Sequence, residues 1–141
     1  MLNHEHLEPG QMLSRPAPLR ITRALLASYA AVSGDHNPIH LDRAFARAAG
    51  MEDVFAQGML VMAYAANILT NQVPPHCIRS YEGRFTALTQ LEDILQAQAM
   101  ITDTYDTATE KRIDVKIVVT NQWEEEKFTA RAVLVFPFDT D

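Results

Sequence analysis

Cysteine is all but missing from this sequence. Cys77 stands alone among 141 residues, so no disulfide can close within the chain, a usage that points to the cytoplasm. Long apolar runs are missing too. The longest, Gly58 to Thr70, contains Tyr64 and Asn67 and falls short of the roughly 20 residues a helical bilayer span requires, which excludes a spanning helix. The first residues, Met1 to His6, have neither a basic start nor an apolar stretch, so no secretory signal is expected. A basic surplus is also lacking. Against 12 basic side chains stand 18 acidic ones, a net charge of -6 that repels nucleic acid, and no basic cluster offsets it. His4, His6, His36 and His76 do not form metal-ligand spacing with Cys77, and no metal is expected. Internal repeats and low-complexity tracts are absent.

What remains is a chain 48% hydrophobic, enough for one buried core and one expected domain over residues 1–141. Pro9-Gly10, Pro16 and Pro18 predict an extended lead-in with a short edge strand near residues 12–14. A first helix is expected from the N-cap Thr22, with Leu25, Leu26, Tyr29 and Val32 at helical spacing and Gly34 closing it. A second starts at Asp42, presents Phe45 and Ala49 on one face and stops at Gly50. The third, from Gly58 to Thr70, is apolar nearly all round and therefore buried on most sides. Pro74-Pro75 ends the helical half.

Four strand segments follow: Ile78 to Leu88, Ile94 to Tyr105, a third alternating Ile113, Val115, Ile117 and Val119, and a fourth alternating Phe128, Ala130, Ala132 and Leu134. Their short polar links favour an antiparallel meander, with Glu124-Glu125-Glu126 at the last hairpin tip. Helices followed by strands make the fold class α+β. A buried central helix wrapped by a curved antiparallel sheet is the hot-dog arrangement. Its open edges are expected to be covered by a second copy, giving at least a homodimer.

The chemistry lies between the first two helices, in Ser33-Gly34-Asp35-His36-Asn37-Pro38-Ile39-His40. Gly34, Asp35, Asn37 and Pro38 each have ordinary turn roles, but those roles leave His40 over. A carboxylate and an imidazole across a rigid Asn-Pro bend can be aimed at one water molecule; they can equally be a satisfied loop pair, and spacing alone leaves both readings open. Cys77, without a recognisable base beside it, reads as structural. Met59, Met62, Tyr64 and Leu69 read first as core, with a share lining a pocket beside the helix.

The string from Tyr29 to Asp42, then Phe45 to Gly50 and Ala56-Gln57-Gly58-Met59-Leu60, closely resembles the MaoC-like dehydratase family. Leu7-Glu8-Pro9-Gly10 and Arg84-Phe85-Thr86-Ala87 extend the resemblance over nearly the whole chain. It implies a hot-dog fold and a hydro-lyase that hydrates trans-2-enoyl thioesters to (R)-3-hydroxyacyl thioesters. By the same resemblance, Asp35 and His40 hold the catalytic water, the Gly58 N–H meets the thioester carbonyl, and Ser33, Asn37 and Met59 face the substrate, with Ser33 and Asn37 chiefly fixing the loop. No cofactor is implied beyond CoA or phosphopantetheine as carrier of the acyl group.

Two features depart from the family's pattern. Gln57 replaces a common histidine, and Leu88 to Asp93 replaces a glycine-containing turn, where Glu92 is not expected to take a left-handed conformation easily. Competing readings are a hot-dog thioesterase and one subunit of a heterodimeric dehydratase.

Overall fold

Side-chain caps start the first two helices where the sequence places them. In a computed structural model, which describes residues 1–139, the Thr22 hydroxyl accepts the Leu25 N–H and opens α1 (Arg23–Ser33). Gly34 ends α1 in the left-handed conformation, φ 76°, its N–H on the Ala30 carbonyl. The Asp42 carboxylate accepts the Ala44 and Phe45 N–H groups and opens α2 (Arg43–Ala48). The third helix, α3, spans Gly58–Thr70 and has no side-chain cap. The last two residues of the expected domain lie outside the described part.

Burial corrects two of the expected helix faces. In α2 the buried residue is Ala46, while Phe45 is 46% exposed, because a helix of six residues has too few turns for its pattern to settle its face. The third helix buries Leu60, Val61, Tyr64, Ala65, Ile68 and Leu69 but leaves Met59, Ala63, Asn67 and Thr70 exposed along one edge. Met59 is thus not core: it is 58% exposed. The sheet covers α3 from one side only, so the opposite edge stays open.

The strands are β1 (Leu19–Arg20), β2 (Ile78–Phe85), β3 (Ile94–Asp106), β4 (Glu110–Thr120) and β5 (Glu126–Pro137). They form one curled antiparallel sheet in the order β1-β3-β4-β5-β2. The meander therefore holds only for β3 to β5. β2 crosses to the far side of β5 because the segment after it is tied elsewhere: Phe55 bridges to Gln90, and the Ala56 N–H donates to the Thr89 carbonyl at 2.8 Å. The expected edge strand near Met12 is a single bridge to Met100, and the paired edge residues are Leu19 and Arg20, beyond the prolines that lack donors.

The inward residues of β3, β4 and β5 are the alternating apolar sets expected from the sequence, and they join the buried face of α3 in one cluster. The third helix packs against β2, β3 and β4. Two phenols anchor it. The Tyr81 hydroxyl donates to the Met62 carbonyl at 2.7 Å, and the Tyr64 hydroxyl lies 3.0 Å from the carbonyls of Ala17 and Leu95. Burial pushes the pKa of both up, so both remain neutral donors. Among the described residues no helix is long and apolar enough to cross a membrane.

The Leu88 to Asp93 turn does what was not expected of it. Glu92 adopts φ 68°. Its N–H donates to the Ile21 carbonyl at 2.8 Å, its carbonyl accepts the Gln122 amide at 3.0 Å, and its carboxylate pairs with Arg20. Three partners hold a conformation that costs a non-glycine residue about 1–2 kcal/mol.

Two stability measurements test this packing. A Cβ on Gly83 would lie 2.2 Å from Cζ of the fully buried Phe128; G83A is expected to lose about 1–3 kcal/mol in urea unfolding. At position 92, E92A and E92G both remove the Arg20 pair but only glycine relieves the backbone, so E92G should be the more stable of the two by about 1 kcal/mol.

Candidate active site

The loop after α1 is built from its own short side chains. The Asp35 N–H donates to the Ser33 hydroxyl at 3.1 Å, the Asn37 N–H to Asp35 Oδ1 at 3.2 Å, and the Ile39 N–H to Asn37 Oδ1 at 3.1 Å. Asn37 also caps a 3-10 turn, Pro38–His40. Each of these side-chain oxygens takes a backbone donor two residues on, the Asx-type arrangement that rigidifies a turn. Ser33 and Asn37 thus spend their oxygens on the loop, whereas Asp35 uses Oδ1 for the loop and keeps Oδ2 free of it.

His40 is held more deeply. Its side chain is 11% exposed, against 44% for that of Asp35. Nδ1 lies 2.7 Å from the Phe55 carbonyl oxygen, which can only accept, so Nδ1 carries the proton in the neutral ring. The Phe55 ring meets the imidazole edge-on, with centroids 5.1 Å apart. These contacts leave Nε2 as an unprotonated acceptor facing Asp35 Oδ2 at 3.8 Å. That separation is too long for a hydrogen bond and short enough for one water-sized oxygen to donate to both atoms.

Phe55 leads directly to the start of α3. Three residues on, Gly58 opens the helix, and neither its N–H nor that of Met59 has an acceptor among the described residues; the Leu60 N–H turns back to the Gln57 carbonyl at 3.1 Å. Unpaired N–H groups at a helix start form the positive end of the macrodipole and favour a developing negative charge. The Phe85 ring lies across this point, its Cζ 3.2 Å from where a Cβ on Gly58 would sit. Phe85 is 49% exposed, so the close neighbour is a ring free to move on its outer side. Met59, beside the open N–H groups, faces outward.

The segment carrying Phe55 is positioned from the sheet. Its partner, the Leu88 to Asp93 turn, is pinned by Lys127, whose side chain is 2% exposed and whose ammonium lies 2.9 Å from the Leu88 carbonyl, 2.9 Å from Glu125 Oε1 and 3.3 Å from Asp93 Oδ2. Asp93 in turn accepts the Gln90 N–H at 2.8 Å and the Asn121 amide at 3.1 Å. A charge this far from water persists only when paired and hydrogen-bonded, and both ends of this pair are. The chain of contacts runs from β5 through the turn to Phe55, and from there to His40 and Gly58.

Sequence reasoning brought out Asp35, His40 and Gly58 but missed Phe55, Phe85, Asp93 and Lys127. Phe55 acts through its carbonyl, which any residue offers, and no signal could have found it. For Lys127 the alternation of β5 was misleading, because Val119 pairs with Phe128 and Thr120 with Glu126, so Lys127 is the extra residue of a β-bulge and its direction is released from the strand's period.

Comparisons with known proteins show the family and the fold. The family model described as MaoC like domain matches residues 5–123. An (R)-specific enoyl-CoA hydratase of Aeromonas caviae is 37% identical over 75 residues, 52% of this chain and 53% of that protein. A 3-hydroxyacyl-thioester dehydratase X of Mycobacterium tuberculosis is 49% identical over 55 residues, 39% of this chain and 19% of that one. The chain thus spans about half the length of the first of these relatives and far less of the second. A solved structure, the (R)-hydratase from A. caviae, superposes with a TM-score of 0.79 at 27% identity, over 92% of this chain and 96% of that one. The shared fold is the hot-dog.

The buried pair supplies the test of how the site is held. K127M leaves the Asp93 carboxylate buried without its cation and is expected to cost about 3–5 kcal/mol in urea unfolding. The double variant K127M/D93N, with no buried charge left, should lose less than the sum of the single variants.

Proposed function

Because the chain belongs to the MaoC-like domain family, we propose that it is a hydro-lyase adding water reversibly across the double bond of trans-2-enoyl thioesters to give (R)-3-hydroxyacyl thioesters. One observation carries the reading: His40 Nε2 and Asp35 Oδ2 are 3.8 Å apart, with Nδ1 already committed to Phe55. Two acceptors at that spacing take both protons of one water molecule and leave its lone pairs free to attack.

The water oxygen bonds to the β-carbon while one of its protons passes to the Asp35–His40 pair. The π electrons move through the α-carbon onto the thioester oxygen, which the Gly58 N–H stabilises; a preorganised donor of this kind is worth about 3–4 kcal/mol of barrier. The pair then returns the proton to the α-carbon on the face where the hydroxyl entered, and dehydration is the reverse. Protonated His40 would sit between the Phe55 carbonyl and the Asp35 carboxylate, so the transient charge is met on both sides.

The thioester carrier is CoA or a phosphopantetheine arm, and the reaction needs no other cofactor. The helical half that holds Asp35, His40 and Gly58 has five basic and six acidic residues before Pro75, close to neutral, which an anionic CoA ester tolerates. Met59, exposed beside Gly58, is placed to touch the acyl thioester. The working form is a homodimer: β2 has a free edge, and the apolar side chains of Met59, Ala63 and Phe85 stand open beside it, which favours coverage by a second copy.

Crotonyl-CoA tests the reading. Loss of enoyl absorbance without release of free thiol, and an (R) product, are the expected results; thiol release would make the protein a thioesterase instead. Asp35→Asn keeps the oxygen that accepts the Asn37 N–H, so it should fold normally while turnover falls by about 10²- to 10⁴-fold. Turnover of D35N close to wild type would remove Asp35 from the chemistry. Activity only after mixing with a second, different subunit would replace the homodimer by a heterodimer.

A further inference from the structure

The uncapped start of α3 raises the question of what fixes the Gly58 N–H in place. The answer lies one residue back. Gln57 is 1% exposed, and its Nε2 donates 3.0 Å to the Leu26 carbonyl in the first turn of α1. Its Oε1 is fully buried and accepts no hydrogen bond among the described residues. Turning the amide over would set Oε1 against the Leu26 oxygen, so the donor must face α1.

Half-satisfied, this amide is a poor choice for packing alone. An apolar side chain of the same length would fill the space without burying an orphan acceptor. What the amide does provide is a directed link between two helices. The first, α1, ends at Ser33-Gly34 and so delivers the loop with Asp35 and His40; α3 begins at Gly58 with the unpaired N–H groups. The Phe55–Gln90 bridge and the Ala56 N–H tie the same segment to the sheet, and Arg23 at the start of α1 pairs with Asp53 at 2.5 Å four residues earlier, so Gln57 is the contact to α1 that lies next to Gly58.

We propose that Gln57 is a positioning residue, holding the oxyanion donor of α3 in register with the water seat of the α1 loop. Its amide does not change charge near neutral pH, so the tether is constant while the Asp35–His40 pair exchanges protons. The proposal rests on the hydratase reading and adds to it a residue that does not touch the substrate. Misplacement of a donor by about 1 Å costs on the order of 100-fold in rate.

The test compares the wild-type protein with Q57M and Q57H on crotonyl-CoA, recording kcat, KM and Tm. Methionine keeps the length and loses the donor; Q57M should show Tm unchanged or raised, kcat lowered by about 10- to 100-fold and KM within about threefold of wild type. Histidine retains a ring N–H, and Q57H should recover most of the lost kcat. An active wild type with Q57M within twofold of its kcat would overturn the proposal, as would a fall in kcat that tracks a fall in Tm and is not recovered by histidine. A wild type that hydrates no enoyl-CoA would remove the hydratase reading itself and this proposal with it, an outcome seen before any variant is made.

Discussion

An ammonium group taken out of water must be met by a carboxylate and by oxygen lone pairs, and in this protein that requirement at Lys127 organises the route from sheet to site. Its partners are Asp93, Glu125 and the Leu88 carbonyl, so meeting the charge and fixing the turn after β2 are one event. Without that turn, Phe55 has no bridge and Ala56 no acceptor. His40 would then lack the carbonyl that decides which of its nitrogens bears the proton. The hydrophobic core places α3 inside the sheet, but apolar burial is non-directional and does not orient an imidazole.

The helices were legible in the sequence because their boundaries are chemical. Thr22, Gly34 and Asp42 cap, and Gly58 to Thr70 is a single apolar run. The strands were legible because Ile113 to Val119 and Phe128 to Leu134 alternate cleanly. What escaped was tertiary. The crossing of β2 beyond β5 depends on a contact with residues 55 and 56, far away in the chain. The face of α2 and the exposure of Met59 depend on where the sheet stops. Glu92 escaped for a different reason: propensity argues against its backbone, and three specific partners override the propensity.

The site divides in the same way. Asp35, Asn37 and His40 are local, and their turn chemistry is written in adjacent residues. The relation of that loop to α3 is not local at all. It passes through a backbone carbonyl at Phe55, an amide at Gln57 and a bulged lysine, none of which has a residue pattern of its own. Two helices with different anchors are thereby tied together through Phe55 and Gln57, one leading into a loop of side-chain acceptors and the other opening on unpaired N–H groups. The hydration proposed for this chain would draw on both elements, since negative charge in that step moves from the attacking water across the conjugated system to the thioester oxygen.

Gly58 and Gly83 look alike in the sequence and differ in what surrounds them. A methyl group at 83 would run into a buried ring and a backbone carbonyl, neither of which has anywhere to go. At 58 it would meet only the edge of Phe85, half in solvent and able to yield. A side chain at 83 therefore draws on the stability of the whole fold, whereas one at 58 reshapes only the exposed surroundings of an open helix start and can leave the fold as it is.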